Sequence, residues 1–357
     1  MPELDFQPPP FTANATLGPG FPRVVADVGG THARFGWLAG PGLAPSRVQT
    51  LRVDAYAGPA EAARAYLVEV AEVAAGNDGA PADGRAPRHA AFAMATPVTG
   101  DRVHFTNSRW GFSRRELQAA LDLDSLLILN DFEALAMSLP GLGTLQLRAH
   151  RLCPPLASGA LAVVGPGTGL GVGAVVPTPD GLWLALPSEG GHATLAAADA
   201  LESELLAWLR QGHAHVSAER LLSGLGLPLL HQALAAVRGE TAQAWSAAQI
   251  VERGVANTEP LCSQTLDCFS ALLGGFAGNV ALTLGARGGL YIGGGIVPRF
   301  ADRFFASQFR QRFEAKGRYQ AYLAAIPTAL ITDTLAALGG AALALEQHLA
   351  MSATSAR

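Results

Sequence analysis

The residues of this chain best suited to chemistry are four carboxylates and one imidazole: Asp27, Asp131, Glu189, Glu219 and His192. Their settings matter more than their number. Asp27 stands in an apolar run, residues 24–28, directly before Gly29-Gly30-Thr31. A Gly-rich turn presents successive backbone N–H groups to an anion, and an acid at its entrance can hold a divalent cation through water. Asn130-Asp131 closes a second apolar run, residues 126–129, and α/β proteins place their chemistry at the carboxyl ends of strands. A plainer reading makes both residues caps of the helix that follows. Glu189 and His192 bracket Gly190-Gly191 after residues 184–186, where glycines let backbone fold closely around a ligand and bring the two polar groups together. Glu219 lies in the segment 217–224, which reads as a short helix opened by Ser217 and closed by Gly224. Its carboxylate therefore has a second reading, as a first-turn complement to the helix dipole.

The elements that must hold these groups are legible as alternating strands, turns and helices. Residues 24–38 read as a β-hairpin in which Gly29-Gly30 supplies the positive φ of a tight turn; an ordinary Gly-Gly hairpin is the simpler alternative. Residues 162–176 repeat the design: Ala162-Val163-Val164, then Gly165-Pro166-Gly167-Thr168-Gly169-Leu170-Gly171-Val172-Gly173, then Ala174-Val175-Val176. The glycine spacing is not the dinucleotide pattern, and no Lys-Ser or Lys-Thr follows as in a P-loop. Two hairpins of one design suggest a duplicated fold with phosphates held between the halves. A strand at 289–292 enters a third glycine turn, Gly293-Gly294-Gly295, whose lack of side chains suits a flat ring such as adenine. Helices are expected at 60–75, from a capping box at Ser113 and Glu116, and at 269–284, a buried helix too short to cross a bilayer. Residues 76–81 form a loop, and residues 351–357 read as a frayed tail.

Composition narrows the function classes. At 357 residues, with 49% hydrophobic and 15% charged residues, the chain suits two well-buried lobes. A net charge of −4 offers no basic footprint for nucleic acid. Cys153, Cys262 and Cys268 are odd in number and lack zinc-type spacing, which fits a reducing cytoplasm. The Pro-rich first twenty residues show neither a signal peptide nor a membrane span.

Eight blocks in order carry a resemblance: ADVGGTHARFG, ATPVTGDRVHFTNSRWGFS, ILNDFEALAMSLP, GPGTGLGVG, SEGGH, ERLLSGLGL, GGGIVPRF and FEAKGRYQAYLAAIPTALI. Across residues 23–349 the chain resembles the bacterial glucokinase family of the hexokinase, actin and heat-shock ATPase superfamily. The resemblance implies an α/β fold of two ribonuclease-H-like lobes around a central cleft, the actin-like ATPase fold. It places a disordered leader at 1–21, a small lobe at 22–140 plus 333–357, and a large lobe at 141–332. It implies ATP and Mg²⁺, with Ala26, Asp27, Val28, Gly29, Gly30 and Thr31, then Gly167, Thr168 and Gly169, around metal and phosphates. Asp27 would meet the metal through water, and Gly294 and Gly295 would lie by the adenosine. The sugar would meet Asn107, Asn130, Asp131, Glu189, His192 and Glu219, with Asp131 as catalytic base. A cytoplasmic homodimer is implied, with glucose and ATP as partners and neither nucleic acid nor membrane.

The sequence departs from the family pattern at His32, where Asn is common, and at Thr334-Leu335-Ala336, in place of an Asn-Pro stretch. Competing readings lack their features. A sugar-sensing repressor needs an N-terminal helix-turn-helix, and a zinc-containing sugar kinase needs cysteines after the His at ligand spacing. A non-catalytic actin-like scaffold has no use for Asn130-Asp131 together with Glu189, His192 and Glu219. A kinase for another hexose or an N-acyl hexosamine remains within the same chemistry.

Overall fold

The computed structural model describes residues 20–75, 86–105, 108–151 and 153–355. The expected leader falls almost wholly outside the described residues, as do the 76–81 loop and the sugar-site candidate Asn107. The first stretch of chain runs β1 (Arg23–Val28), β2 (His32–Leu38), β3 (Ser46–Arg52), α1 (Pro59–Ala75), β4 (His89–Met94), β5 (Arg102–His104), β6 (Gly111–Ser113), α2 (Arg114–Ala120), β7 (Ser125–Asn130) and α3 (Asp131–Ser138). It continues through β8 (Leu147–Arg151), β9 (Leu161–Pro166), β10 (Leu170–Pro177), β11 (Trp183–Leu186), α4 (Ala200–Leu209), α5 (Gly226–Val237), α6 (Ala247–Ala256) and α7 (Pro260–Leu284). Last come β12 (Gly289–Ile292), α8 (Ala301–Ala306), α9 (Phe309–Glu314), α10 (Gln320–Ala324), β13 (Thr328–Ile331) and α11 (Ala336–Ser355). These elements group into two compact units: residues 20–142, 178–187 and 334–355, and residues 143–177 and 188–333.

The first unit is built on a sheet of order β3-β2-β1-β4-β7. β1 is antiparallel to β2 and parallel to β4, and β4 is parallel to β7. Period-two alternation sends Val24, Ala26 and Val28 with Phe35, Trp37 and Phe92 to one face, where α1 supplies Ala62, Ala63 and Tyr66. Phe35 stacks on Tyr66 at 5.3 Å between centroids and meets Phe92 edge-on at 5.8 Å. Each such buried aromatic contributes about 1.5–3 kcal/mol. α11 packs against β1, β4 and α3. A Cβ on Gly340 would overlap the Ala134 carbonyl oxygen, so the backbones of α11 and α3 cross in contact and fix the helix that Asp131 begins. β11 belongs with this unit, where the Trp183 N–H donates to Gln347 Oε1 at 2.7 Å.

In the second unit the sheet strands run β10-β9-β12-β13-β8. β9 is antiparallel to β10 and parallel to β12, and β12 is parallel to β13. The order and directions of β10-β9-β12-β13 match those of β2-β1-β4-β7, so the duplicated hairpin seen in the sequence belongs to a duplicated sheet.

Four sequence expectations need correction. α7 starts at Pro260, a residue suited to the first helical position, and spans 25 residues. By length and composition it could cross a membrane, yet 72% of its most apolar window is buried, which makes it a core helix. Of the expected frayed tail, residues 351–355 continue α11, which runs to Ser355, and the last two residues lie outside the described ones. The segment 217–224 forms turns rather than a helix, and α5 begins only at Gly226. Finally, Ser113 does cap α2 by accepting the Glu116 N–H, while the Glu116 carboxylate lies 4.0 Å from Arg102 rather than completing a box.

Candidate active site

In the first unit the β1–β2 turn carries Asp27 on its own strand. Val28 pairs with Ala33 as the last rung of the ladder, and the Gly29 N–H donates to the His32 carbonyl at 2.9 Å. Gly29 is not at positive φ, so the expected left-handed turn is absent. A Cβ there would make only an ordinary 3.6 Å contact with the His32 carbonyl oxygen. Because the Gly29 amide closes the turn, presentation of N–H groups falls to Gly30 and Thr31. Thr31 and His32 are exposed, whereas Ala26 and Val28 are buried in the core and offer only backbone. The Thr31 carbonyl is held by the Val53 N–H at 2.9 Å, and the Val28 carbonyl by the Ala95 N–H at 2.9 Å.

Asp27 faces Arg34 directly across the ladder, with Nη1 to Oδ2 at 3.4 Å. Burial pushes the Asp27 carboxyl above its ordinary range, and the charge and hydrogen bond of Arg34 pull it back down in part. Arg34 was not singled out from the sequence. The signal was nevertheless local: in a hairpin that pairs residues 28 and 33, residues 27 and 34 must also stand opposite.

At the end of β7 the structure separates Asn130 from Asp131. Asn130 is the cap: its Oδ1 accepts the Phe132 N–H at 2.9 Å and the Glu133 N–H at 3.4 Å, and its own N–H donates to Glu133 at 3.3 Å. Its Nδ2 also donates to the Thr96 carbonyl at 3.3 Å. Its Oδ1 and one Nδ2 hydrogen are thus spent inside the protein, so a sugar contact from Asn130 would use the second Nδ2 hydrogen. Asp131 is the first helical residue, with Oδ1 accepting the Phe132 N–H at 3.0 Å. The cap reading therefore holds for the first of the pair, and the second is the residue that opens the helix.

In the second unit the β9–β10 turn has the corresponding form. Pro166 pairs with Leu170, and the Gly167 N–H donates to the Gly169 carbonyl at 2.8 Å. Again the first glycine amide closes the turn, and Thr168, which is exposed, stands at its tip with Gly169. This hairpin has no acid of its own. Its carboxylate comes from Glu219, whose Oε2 accepts the Leu170 N–H at 2.9 Å. A Cβ on Gly169 would overlap that oxygen.

The same carboxylate joins the Glu189–His192 segment. Glu219 Oε1 lies 3.7 Å from His192 Nδ1, and Glu189 Oε2 lies 3.9 Å from His192 Nε2. Glu189 and His192 are 61% and 60% exposed against 32% for Glu219, so the outer pair is open to a ligand while Glu219 is partly committed to the protein. The Glu219 N–H donates to the Gly191 carbonyl at 2.9 Å, and a Cβ on Gly191 would overlap the Leu170 carbonyl oxygen. Four groups predicted separately, at 167–169, 189, 192 and 219, thus come together. The Glu219 and Gly224 amides pair with Gly191 and Gly167 (2.9 and 2.7 Å), while the Arg220 and Leu221 amides turn back on Ser217 and Ala218, so the segment is a strap of turns in place of the expected helix. The dipole reading of Glu219 falls with that helix.

The third glycine turn closes on this arrangement. The Ile296 N–H donates to the Pro166 carbonyl at 3.2 Å. Gly294 has φ of 75°, and a Cβ on it would overlap the Pro166 carbonyl oxygen, whereas Gly295 has nothing within 4 Å of an added Cβ. Gly294 is required by the fold, and Gly295 leaves exposed space beside it.

The family model described as Glucokinase matches residues 24–348. A glucokinase of Aromatoleum aromaticum is 47% identical over 330 residues, covering 92% of this chain and 96% of that protein. One from Paramagnetospirillum magneticum is 47% identical over 319 residues, covering 89% and 96%. The crystal structure of a glucokinase from an Antarctic psychrotroph superposes with a TM-score of 0.81 at 37% identity, over 91% of this chain and 99% of that one. The fold shared with these proteins is the actin-like ATPase fold.

Proposed function

Because this chain belongs to the glucokinase family, we propose that it transfers the γ-phosphoryl group of MgATP to the 6-hydroxyl of D-glucose, giving glucose 6-phosphate and ADP. The observation that carries this reading is the placement of Glu219. One of its carboxylate oxygens faces His192 and the other holds the end of a glycine turn, so acceptors and donors suited to a polyol adjoin a turn suited to phosphate within one unit.

The roles follow from these placements. In the second unit Glu189, His192 and Glu219 bind sugar hydroxyls. Thr168 and Gly169 meet phosphate, the Gly167 amide being engaged within the turn, and Gly294-Gly295 give the adenosine a floor without side chains. In the first unit Gly30 and Thr31 meet phosphate, Asn107 and Asn130 meet sugar, and Asp131 is the base. Among the described residues no group of three or more His, Cys, Asp or Glu is arranged to cage a metal. Magnesium accordingly belongs to the nucleotide substrate, with Asp27 as a partner through water. That arrangement suits an ion that keeps several waters and binds through one or two carboxylates plus phosphates.

Asp131 orients the 6-hydroxyl and takes its proton as the oxygen attacks the γ-phosphorus in line and the bond to ADP breaks. Phosphoryl transfer relies chiefly on positioning and charge stabilisation, so this proton moves late. A buried polar group left unpaired costs about 1–3 kcal/mol, and glucose is therefore preferred over epimers that misplace a hydroxyl. A coupled ADP-release assay with MgATP and a panel of glucose, mannose, galactose and N-acetylglucosamine tests this. ADP release is expected to be largest with glucose. Equal kcat/KM across the panel overturns the glucose assignment, and glucose binding without ADP release turns the protein into a non-catalytic sugar sensor. A cytoplasmic homodimer completes the proposal, supported by membership of the glucokinase family.

A further inference from the structure

The segment 219–224 spans the Gly167–Gly169 turn and holds it at both ends. At one end Glu219 Oε2 accepts the Leu170 N–H at 2.9 Å. At the other the Gly224 N–H donates to the Gly167 carbonyl at 2.7 Å. The only side chain in this clasp is Glu219, and its second oxygen points to His192 at 3.7 Å. A carboxylate that moved toward a ligand beside His192 would pull on the Leu170 amide it holds, and it sits against Gly169 where an added Cβ would overlap it. The backbone at Glu219 and just before it is also held: the Glu219 N–H donates to the Gly191 carbonyl at 2.9 Å, and the Ala218 N–H to the Ala193 carbonyl at 2.9 Å.

We propose that Glu219 is a strut through which an occupied sugar seat sets the geometry of the Gly167–Gly169 phosphate turn. This makes Glu219 a positioning residue for the nucleotide as well as a sugar contact, and it rests on the sugar assignment made above. The physical basis is shared use of one carboxylate: hydroxyl donors on Oε1 fix the rotamer that keeps Oε2 on the Leu170 amide. Coupling between two ligands is reciprocal, so nucleotide on the turn also holds the carboxylate ready for sugar.

The test uses calorimetry on wild type and three variants, with glucose alone, with the magnesium complex of a non-hydrolysable ATP analogue alone, and with each in the presence of the other. In wild type each ligand is expected to tighten binding of the other at least about fivefold, and failure to do so overturns the strut. Glu219→Ala removes both ends of the strut, and both affinities are expected to fall at least about fivefold, the lower end of typical coupling. Glu219→Gln keeps an oxygen for the Leu170 N–H, so glucose affinity falls while analogue affinity stays within about threefold of wild type. Gly169→Ala, a change in the phosphate turn, displaces the carboxylate and weakens glucose at least about fivefold with no nucleotide present. Wild-type analogue affinity in Glu219→Ala, or wild-type glucose affinity in Gly169→Ala, overturns the strut and leaves the sugar assignment standing. Wild-type glucose affinity in Glu219→Ala overturns the sugar assignment itself, and the strut with it. A fall in analogue affinity in Glu219→Gln equal to that in Glu219→Ala would also overturn the strut, since the retained acceptor should rescue it.

Discussion

The β1–β2 and β9–β10 hairpins are two answers to one problem. In each, the amide of the first turn glycine is spent closing the turn, on the His32 carbonyl in the first and on the Gly169 carbonyl in the second. In each, the role proposed for the following residues, Gly30-Thr31 or Thr168-Gly169, is to face phosphate. They differ in the source of negative charge. The first hairpin carries Asp27 on its own strand, balanced by Arg34 on the facing strand. The second carries none and borrows Glu219 from 49 residues downstream. A carboxylate rooted in a strand is held by the sheet, and one that arrives on a turn can respond to what else it touches. The first arrangement suits a fixed partner of MgATP, and the second suits a sensor of sugar.

The largest effect expected from this division lies in the first unit, at Asp131. Asp131→Asn preserves shape, and Asn130 continues to cap α3, so the fold and glucose affinity are expected to stay within about tenfold of wild type. Loss of the proton acceptor lowers kcat by about 10²–10⁴. Steady-state kinetics on the folded variant check this. Turnover near wild type would reduce Asp131 to a helix-start residue and leave the first unit with nucleotide chemistry alone.

The same contrast explains what the sequence could and could not reveal. The hairpins, the Asn130 cap and the start of α3 rest on signals a few residues long, an apolar run followed by glycine or a capping side chain, and physics at that range is readable from order alone. The segment 217–224 misled because Ser, acid and Gly in that order are signals for a helix and equally for a strap. The strap is tied to Gly191 and Gly167, whose carbonyls take the Glu219 and Gly224 amides and whose proximity no local pattern encodes. Similarly, Glu219 and Leu170 meet only because β9, β10 and the Ser188–His192 segment have already packed. Gly29 misled in the opposite direction. Its neighbour Gly30 invited a left-handed turn, and the hairpin instead closed through the Gly29 amide with ordinary φ.

A smaller effect separates glycines kept for the fold from glycines kept for a ligand. Gly294→Ala forces a side chain into a φ of 75° and against the Pro166 carbonyl at the mouth of the second hairpin. It is expected to destabilise the protein by about 1–3 kcal/mol. Gly295→Ala meets nothing within 4 Å, so stability is expected to change by less than about 0.5 kcal/mol while KM for MgATP rises. Chemical denaturation followed by kinetics resolves the two. Equal destabilisation, or an unchanged KM in the folded Gly295→Ala protein, would remove the adenosine from this turn.

The smallest effect sharpens the first hairpin and concerns pH. The Asp27 carboxyl stands above its ordinary range because of burial, and Arg34 lowers it by charge and by a hydrogen bond at 3.4 Å. Arg34→Gln removes most of that opposition, so the carboxyl rises further. If ionised Asp27 serves MgATP, the acid limb of kcat/KM for MgATP must then move to higher pH, with glucose affinity unmoved. The stability sign runs the other way from that of a salt-bridged acid. A carboxyl raised on folding binds protons more tightly in the native state, so its contribution is fully present below the unfolded-state value and is lost as pH rises through the native value. At neutral pH the ionised, buried Asp27 therefore costs stability, more so in Arg34→Gln. The gap in denaturation midpoint between Arg34→Gln and wild type is expected to narrow as pH falls through the native value. Asp27→Asn supplies the decisive contrast, because it relieves the desolvated charge: it is expected to be at least as stable as wild type at neutral pH while losing efficiency with MgATP and losing the acid limb. An Asp27→Asn protein that is less stable and keeps full use of MgATP would show that the pair is a structural cross-strand contact, and that the first hairpin, like the second, takes its functional charge from elsewhere.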